Sequence, residues 1–153
     1  MRKIVLPLLA SLALASPALA NETRVEARGG VIWSNGTSED TWGGAVGYDF
    51  DLGQTTFAGL EFSGDKIGTE GTKVAFGATG RLGVKAGTGT ALYGTGGYTT
   101  EACDACEGQW HLGAGVEQKI SGPFYVKAEY RHFFKNDVVA DGDALVGGVG
   151  VKF

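Results

Sequence analysis

The chain has 153 residues, 43% of them hydrophobic and 20% charged, with 27 glycines against three prolines and a formal net charge of −4. That length holds one domain, and so many glycines suit a tightly curved sheet, with its bends and close backbone approaches, better than a helical fold. The acidic balance argues against nucleic acid as a partner, because such affinity rests on Lys and Arg neutralising phosphates.

Residues 1–20 read as a cleaved secretory signal peptide. Met1-Arg2-Lys3 is basic, residues 4–15 form an apolar run, and Ser16-Pro17-Ala18-Leu19-Ala20 supplies a small-x-small cleavage site. The run is too short for a spanning helix, and no stretch of about 18 apolar residues follows it. No cysteine stands at the cleavage site, which argues against a lipoprotein. Residues 21–153 are then the folded domain, and losing Arg2 and Lys3 leaves it 11 basic residues against 17 acidic, a formal −6.

Eight segments of this domain alternate at the period of a strand, near 23–34, 41–52, 55–63, 73–85, 90–100, 109–120, 123–134 and 144–153. The first sets Val25, Ala27, Val31 and Trp33 against Arg24, Glu26 and Arg28. The fourth sets Val74, Phe76, Ala78, Leu82 and Val84 against Lys73, Thr79, Arg81 and Lys85. In the fifth, Leu92, Tyr93 and Tyr98 leave the register open. The sixth opposes Trp110, Leu112, Ala114, Val116 and Ile120 to His111, Gly113, Gly115, Glu117 and Lys119. The seventh opposes Phe124, Val126, Ala128, Tyr130, His132 and Phe134 to Tyr125, Lys127, Glu129, Arg131 and Phe133. The eighth counts back from Phe153 through Val151 and Val149 against Lys152, Gly150 and Gly148. It keeps alternating to the last residue, where most domains carry a frayed polar tail.

Each segment is close to the ~9–11 residues that a tilted strand needs to cross a bilayer. Short connections at 52–54, 86–89 and 121–123 alternate with longer ones at 35–40, 64–72, 101–108 and 135–143. That parity is expected of an even-stranded barrel with short periplasmic turns, long outer loops and both termini in the periplasm. Alternation alone does not say which face is outside, and a soluble lipocalin-like barrel has the same period with its apolar face inward.

Three features favour the inverted arrangement. Aromatics gather toward strand ends: Trp33, Trp42, Phe62, Trp110 and Phe134 near the long loops, and Tyr48, Phe50, Phe124 and Phe153 near the short turns. Two such belts belong at two bilayer interfaces. The charged face is also rich in glycine (Gly77, Gly83, Gly113, Gly115, Gly148 and Gly150), which leaves room for long side chains in a narrow interior. Charges of both signs share that face. The expected fold is an all-β, eight-stranded antiparallel transmembrane up-and-down β-barrel in a Gram-negative outer membrane.

Ala45-Val46-Gly47-Tyr48-Asp49-Phe50, Gly59-Leu60-Glu61, Val126-Lys127-Ala128-Glu129-Tyr130-Arg131 and Val149-Gly150-Val151-Lys152-Phe153 resemble segments of the small OmpA-like and opacity-protein-like outer-membrane barrels. The resemblance covers residues 21–153 at the level of pattern and implies the same eight-stranded barrel, but no single activity. It also implies that Val149, Val151 and Phe153 form the signal read by the barrel-assembly machinery. The partners it suggests are outer-membrane lipid, lipopolysaccharide and a host or surface ligand met by the loops.

Four constellations carry chemistry. Glu26, Arg28, Asp49, Glu61, Arg81, Glu117, Lys119, Lys127, Glu129, Arg131 and Lys152 point into the expected lumen. Buried charge is costly unless paired, so mixed signs should form a network, with Glu129 between Lys127 and Arg131 as its expected centre. Such a network either plugs the barrel or exchanges partners to open a narrow ion path. Cys103 and Cys106 lie in the third long connection. They lack the strand–helix setting of a redox Cys-x-x-Cys, and with only His111 near they fall short of the roughly four ligands of a zinc site. In an oxidising compartment they read as a local disulfide.

Glu39, Asp40, Asp65, Glu70, Glu101, Asp104, Glu107, Asp137, Asp141 and Asp143 give the outer loops an acidic rim, either simply solvated or sharing divalent cations with lipopolysaccharide. Residues 137–143 lack the ligand alternation of a calcium loop, and no motif calls for a cofactor or resident metal. Finally, lipid A deacylases of similar architecture carry a His-x-Ser element near a strand end. Here His132 is followed by Phe134 in place of the serine nucleophile, and a histidine alone cannot run acyl transfer. His111 is expected to face inward beside Glu117 in a structural role. The function this predicts is a non-enzymatic barrel with a structural or surface-interacting role (envelope integrity, adhesion through the outer loops). A narrow porin-like channel for ions or small solutes is the alternative.

Overall fold

The computed structural model describes residues 21–153, and the expected signal peptide at 1–20 lies outside them. Eight strands follow one another: β1 Glu22–Ser34, β2 Thr37–Asp51, β3 Thr56–Ile67, β4 Ala75–Ala86, β5 Thr90–Thr99, β6 Gln109–Ser121, β7 Phe124–Phe133 and β8 Gly142–Lys152. Each pairs antiparallel with the next, and β8 returns to pair with β1, closing the barrel. The seam runs from Arg24 opposite Lys152 to Trp33 opposite Asp143. At its end the backbones of Thr23 and Phe153 exchange two hydrogen bonds of 2.9 and 3.0 Å.

The turns 52–55, 87–89 and 122–123 share one end with both termini, and the connections 35–36, 68–74, 100–108 and 134–141 form the other. The first of these corrects the expected long loop at 35–40. Strands β1 and β2 continue until Ser34 faces Thr37, and Asn35-Gly36 alone makes the turn. Their φ angles of 51° and 80° are those of a two-residue turn with both central residues left-handed, whose twist matches that of the flanking strands. β3 likewise runs on to Ile67, past the expected loop start at residue 64. Asp65 therefore sits on a strand, facing inward, instead of on the acidic rim.

Side chains alternate strictly between the two faces. Outward positions keep large apolar groups uncovered by protein, including Leu60, Leu82, Leu112, Val149 and, nearer the ends, Trp42, Trp110, Phe124 and Phe153. In a bilayer these meet hydrocarbon and its interfaces, so their exposure is what the surroundings require. Inward positions hold the charges.

In β5 the open register resolves with Ala91, Tyr93 and Thr95 inside and Leu92 and Tyr98 outside. The only buried apolar cluster among the described residues, Phe57, Ala91 and Tyr93, sits in the lumen toward the turns. The Arg81 guanidinium lies over the Phe57 and Tyr93 rings, 4.9 and 4.6 Å from their centroids.

Candidate functional site

The lumen is built from strand alternation alone. Every second residue points inward, so Arg24, Glu26 and Arg28 of β1 stack along one wall and Lys127, Glu129 and Arg131 of β7 along another. Glu61, on β3, lies between them. Its carboxylate accepts hydrogen bonds from Arg24 (2.8 Å), Arg28 (2.8 Å), Arg131 (2.9 Å) and Lys127 (3.3 Å).

Toward the loops, Arg28 grips Asp65 with two donors. Glu129 accepts from Arg131 Nε and from the Tyr93 hydroxyl at 2.9 Å. Toward the turns, Lys127 Nζ lies 2.5 Å from Glu26, whose second oxygen accepts from Tyr125 at 2.7 Å. Arg24 reaches Asp49 at 3.3 Å, and Arg81 forks onto Asp49 at 2.9 and 2.7 Å while touching Glu117 at 3.1 Å. Lys152 completes the layer, 2.5 Å from Glu117.

Six cations (Arg24, Arg28, Arg81, Lys127, Arg131, Lys152) thus join six inward carboxylates (Glu26, Asp49, Glu61, Asp65, Glu117, Glu129) in one continuous, formally balanced network, which Lys152 extends to the more exposed Glu22 at the turn-side rim, 3.1 Å away. Desolvating so many ions is repaid only if each is compensated within the interior. Continuity and neutrality meet that condition in charge, while Arg24 Nε and Nη2 are buried without a hydrogen-bond partner among the described residues.

Of the eleven charges expected in the lumen, Glu26, Arg28, Asp49, Glu61, Arg81, Glu117, Lys127, Glu129 and Arg131 are buried and ion-paired, and Lys152 is half-buried and ion-paired. Lys119 is not among them. It lies at the turn-side rim, exposed, just before the register shift that separates it from Ser121, and it makes no ion pair among the described residues. The centre is Glu61 and not Glu129, because a residue opposite two charged walls collects partners from both, whereas Glu129 depends chiefly on neighbours in its own strand. Arg24 and Asp65 join as members that the sequence reading left out.

His111 is buried but is not beside Glu117. Six strand residues, about 20 Å, separate them, and its ring nitrogens lie 3.1 and 3.3 Å from the hydroxyls of Thr79 and Thr99. Tyr93 and Tyr125 were the least legible members. The only available signal was an aromatic on the charged parity of its strand.

Interior glycines are what admit these side chains. A Cβ on Gly47 would meet the Arg24 guanidinium at 2.6 Å, and one on Gly150 would meet the Tyr125 ring at 2.7 Å. On Gly115 it would lie 2.5 Å from the Tyr93 hydroxyl. Gly115→Ala should therefore push Tyr93 off Glu129 and destabilise the barrel by about 1–3 kcal/mol, the usual cost of overpacking. Urea unfolding in lipid vesicles measures this, and Ala114→Gly, on the lipid face next door, serves as the control.

The loop end is acidic, with Glu39, Asp40, Glu70, Glu101, Asp104, Glu107, Asp137 and Asp141 outnumbering Lys66, Lys73 and Lys135. Lys73 lies 3.3 Å from Glu101 and 3.2 Å from Asp104. Those hydrogen bonds raise the Lys73 pKa. The Glu101 pKa is lowered, first by a backbone hydrogen bond and then by Lys73. Being exposed, these pairs steady the loop more than they stabilise the fold. Nearby, Cys103 and Cys106 have their Cα atoms 5.1 Å apart, within the span of a disulfide.

On the outer face His132 Nδ1 lies 2.8 Å from Asp143, and the Tyr130 hydroxyl donates to the same carboxylate oxygen at 2.5 Å. The Phe134 ring stands edge-on to His132, with centroids 5.0 Å apart. Phe134 stands two residues after His132, where a His-x-Ser element would need serine.

Two cavities flank the network. One of about 320 Å³ opens among the loops and ends on Arg28, Asp65 and Arg131. The other, about 220 Å³, opens between the turns and reaches Asp49, Glu117 and Lys152. The middle layer around Glu61, Lys127 and Glu129 lines neither.

The family model described as outer membrane protein beta-barrel domain matches residues 6–153. No relative is found among curated proteins. Among solved structures, the N-terminal β-barrel domain of Pseudomonas aeruginosa OprF superposes with a TM-score of 0.62 at 17% identity, over 86% of this chain and 97% of that one. Ail, the attachment invasion locus protein of Yersinia pestis, gives 0.61 at 15% over 88% and 99%, and has also been solved with the heparin analogue sucrose octasulfate. The outer membrane enzyme PagL gives 0.61 at 12% over 84% and 98%. At these identities the likeness is one of fold.

Proposed function

Since the chain belongs to the outer membrane protein β-barrel domain family and resides in the Gram-negative outer membrane, we propose that it is a closed, non-conducting barrel whose role is structural and surface-interacting, exercised through its acidic loop end. The neutral ion-pair network across the lumen is the observation that carries this reading. It separates the two cavities with buried, mutually bonded side chains, and the interior of an eight-stranded barrel is narrow enough for such a layer to fill it. A channel would have to break several buried pairs at once.

In this reading residues 1–20 direct export, and Val149, Val151 and Phe153 engage the barrel-assembly machinery. Lipid and lipopolysaccharide surround the apolar wall, and a disulfide between Cys103 and Cys106 shapes the third loop. The role is non-enzymatic: the outer membrane enzyme PagL shares the fold, which at 12% identity carries no activity over, and Phe134 beside His132 leaves a deacylase-like His-x-Ser element without its nucleophile. The acidic loop end also favours neutral or cationic surface ligands over a polyanion such as the one bound to Ail.

Planar-bilayer recording tests the closed lumen. The expected result is a trace at the lipid baseline, both for the wild type and for Glu129→Gln. Stepwise openings whose size changes in Glu129→Gln would establish the channel and overturn the reading.

A further inference from the structure

The loop-side cavity has more definition than a filled barrel needs. Below the rim its wall is largely apolar, formed by Ile32, Ile67, Phe133, Val139, Ala144 and Val146 with Thr41, Thr99 and Gln109 between them, and its floor is the Arg28–Asp65 pair beside Arg131. That floor is electrically neutral, because each guanidinium is already held by carboxylates of the network. The mouth is not neutral. Glu39 and Glu107 line it, and neither makes an ion pair among the described residues, whereas nearby Glu101 and Asp104 are both engaged by Lys73.

A largely apolar well of about 320 Å³, open among the loops, falls in the range of pockets that take small organic ligands. Two uncompensated carboxylates at its lip select the sign of the ligand's charge. A molecule with an apolar body and one cationic head can bury the body against Ile32, Phe133 and Val146 and leave the head between Glu39 and Glu107. An anion would have to pass the acidic loops and then compete with Asp65 for Arg28.

We infer that the mouth of the barrel is a binding site for small hydrophobic cations, such as aryl or short alkyl quaternary ammonium compounds. The inference goes beyond the proposed surface role. It rests on that reading only in taking the network as the floor of the well.

Benzyltrimethylammonium, neutral benzyl alcohol and anionic phenylacetate, titrated by calorimetry into the full protein in phospholipid nanodiscs against empty discs, test it. The cation should bind at least several-fold more tightly than either counterpart. Glu39→Gln with Glu107→Gln should cut its affinity about tenfold while leaving benzyl alcohol unchanged. Ala144→Phe, which fills the well, should abolish binding of all three, with the mobility difference between boiled and unboiled samples certifying that the barrel has closed. If that variant does not close, Ala102→Trp fills the well from the loop instead.

Tightest binding by phenylacetate, equal binding of all three, or no binding by the cation would each overturn the inference. None of these results would touch the closed lumen, which the conductance experiment judges separately.

Discussion

Glu61→Gln is expected to destabilise the barrel by about 3–5 kcal/mol, the cost of leaving buried charge without its partner. Glu61 compensates two cations of each charged wall, Arg24 and Arg28 of β1 and Lys127 and Arg131 of β7. Removing its charge turns a neutral interior into one of net +1, with four cations crowded around an amide that can still accept but no longer offsets them. Glutamine keeps the volume, so packing is not the cause. Urea titration of the vesicle-reconstituted protein, followed by loss of the unboiled gel mobility, measures the effect. Glu70→Gln, on a loop, should change stability by less than about 0.5 kcal/mol. Equal stability of Glu61→Gln and wild type would mean that water enters the lumen freely, and the plug would fall with that result.

The second large effect is on the opposite face. Leu82→Arg should cost about 2–4 kcal/mol in the same assay, because a guanidinium near the middle of the wall must sit in hydrocarbon or drag water to it. Leu82 is 60% exposed in the isolated chain. In a water-soluble barrel, arginine there would be nearly neutral or helpful. The same substitution thus reads the direction of the barrel from stability alone, and a neutral outcome would turn it inside out.

What the sequence made legible follows from period. Eight runs of alternating residues disclosed the strands, the closure and the parity of nearly every inward charge, because a strand has one way to alternate. Turn chemistry competes with composition at the first connection. Asn35-Gly36 is a strong two-residue hairpin signal, yet the polar Thr37-Ser38-Glu39-Asp40 that follows reads as loop until its pairing with β1 is seen. The register of β5 was hidden because Tyr93 is an aromatic serving as a polar residue, its hydroxyl spent on Glu129. Glu61 gave no sign of being the hub. Its rank comes from which walls face it across the lumen, and that depends on how the sheet curls, a property no single strand's pattern contains. Lys119 shows the converse limit, since its inward parity says nothing about whether any carboxylate lies at its depth.

The seam between β1 and β8 bears on how the barrel is made. Arg24, Glu26 and Arg28 stand on the first strand, yet their partners lie on β2, β3 and β7, and β1 hydrogen-bonds to the last strand to be synthesised. A partial sheet of the early strands would expose these ions to the membrane with Lys127 still absent, and its edges would be unpaired. Joining residues about as far apart as the chain allows also makes this contact order high and spontaneous closure slow. Insertion and circularisation should therefore occur as one cooperative event, with charge neutralisation and seam pairing arriving together and no stable half-barrel along the way.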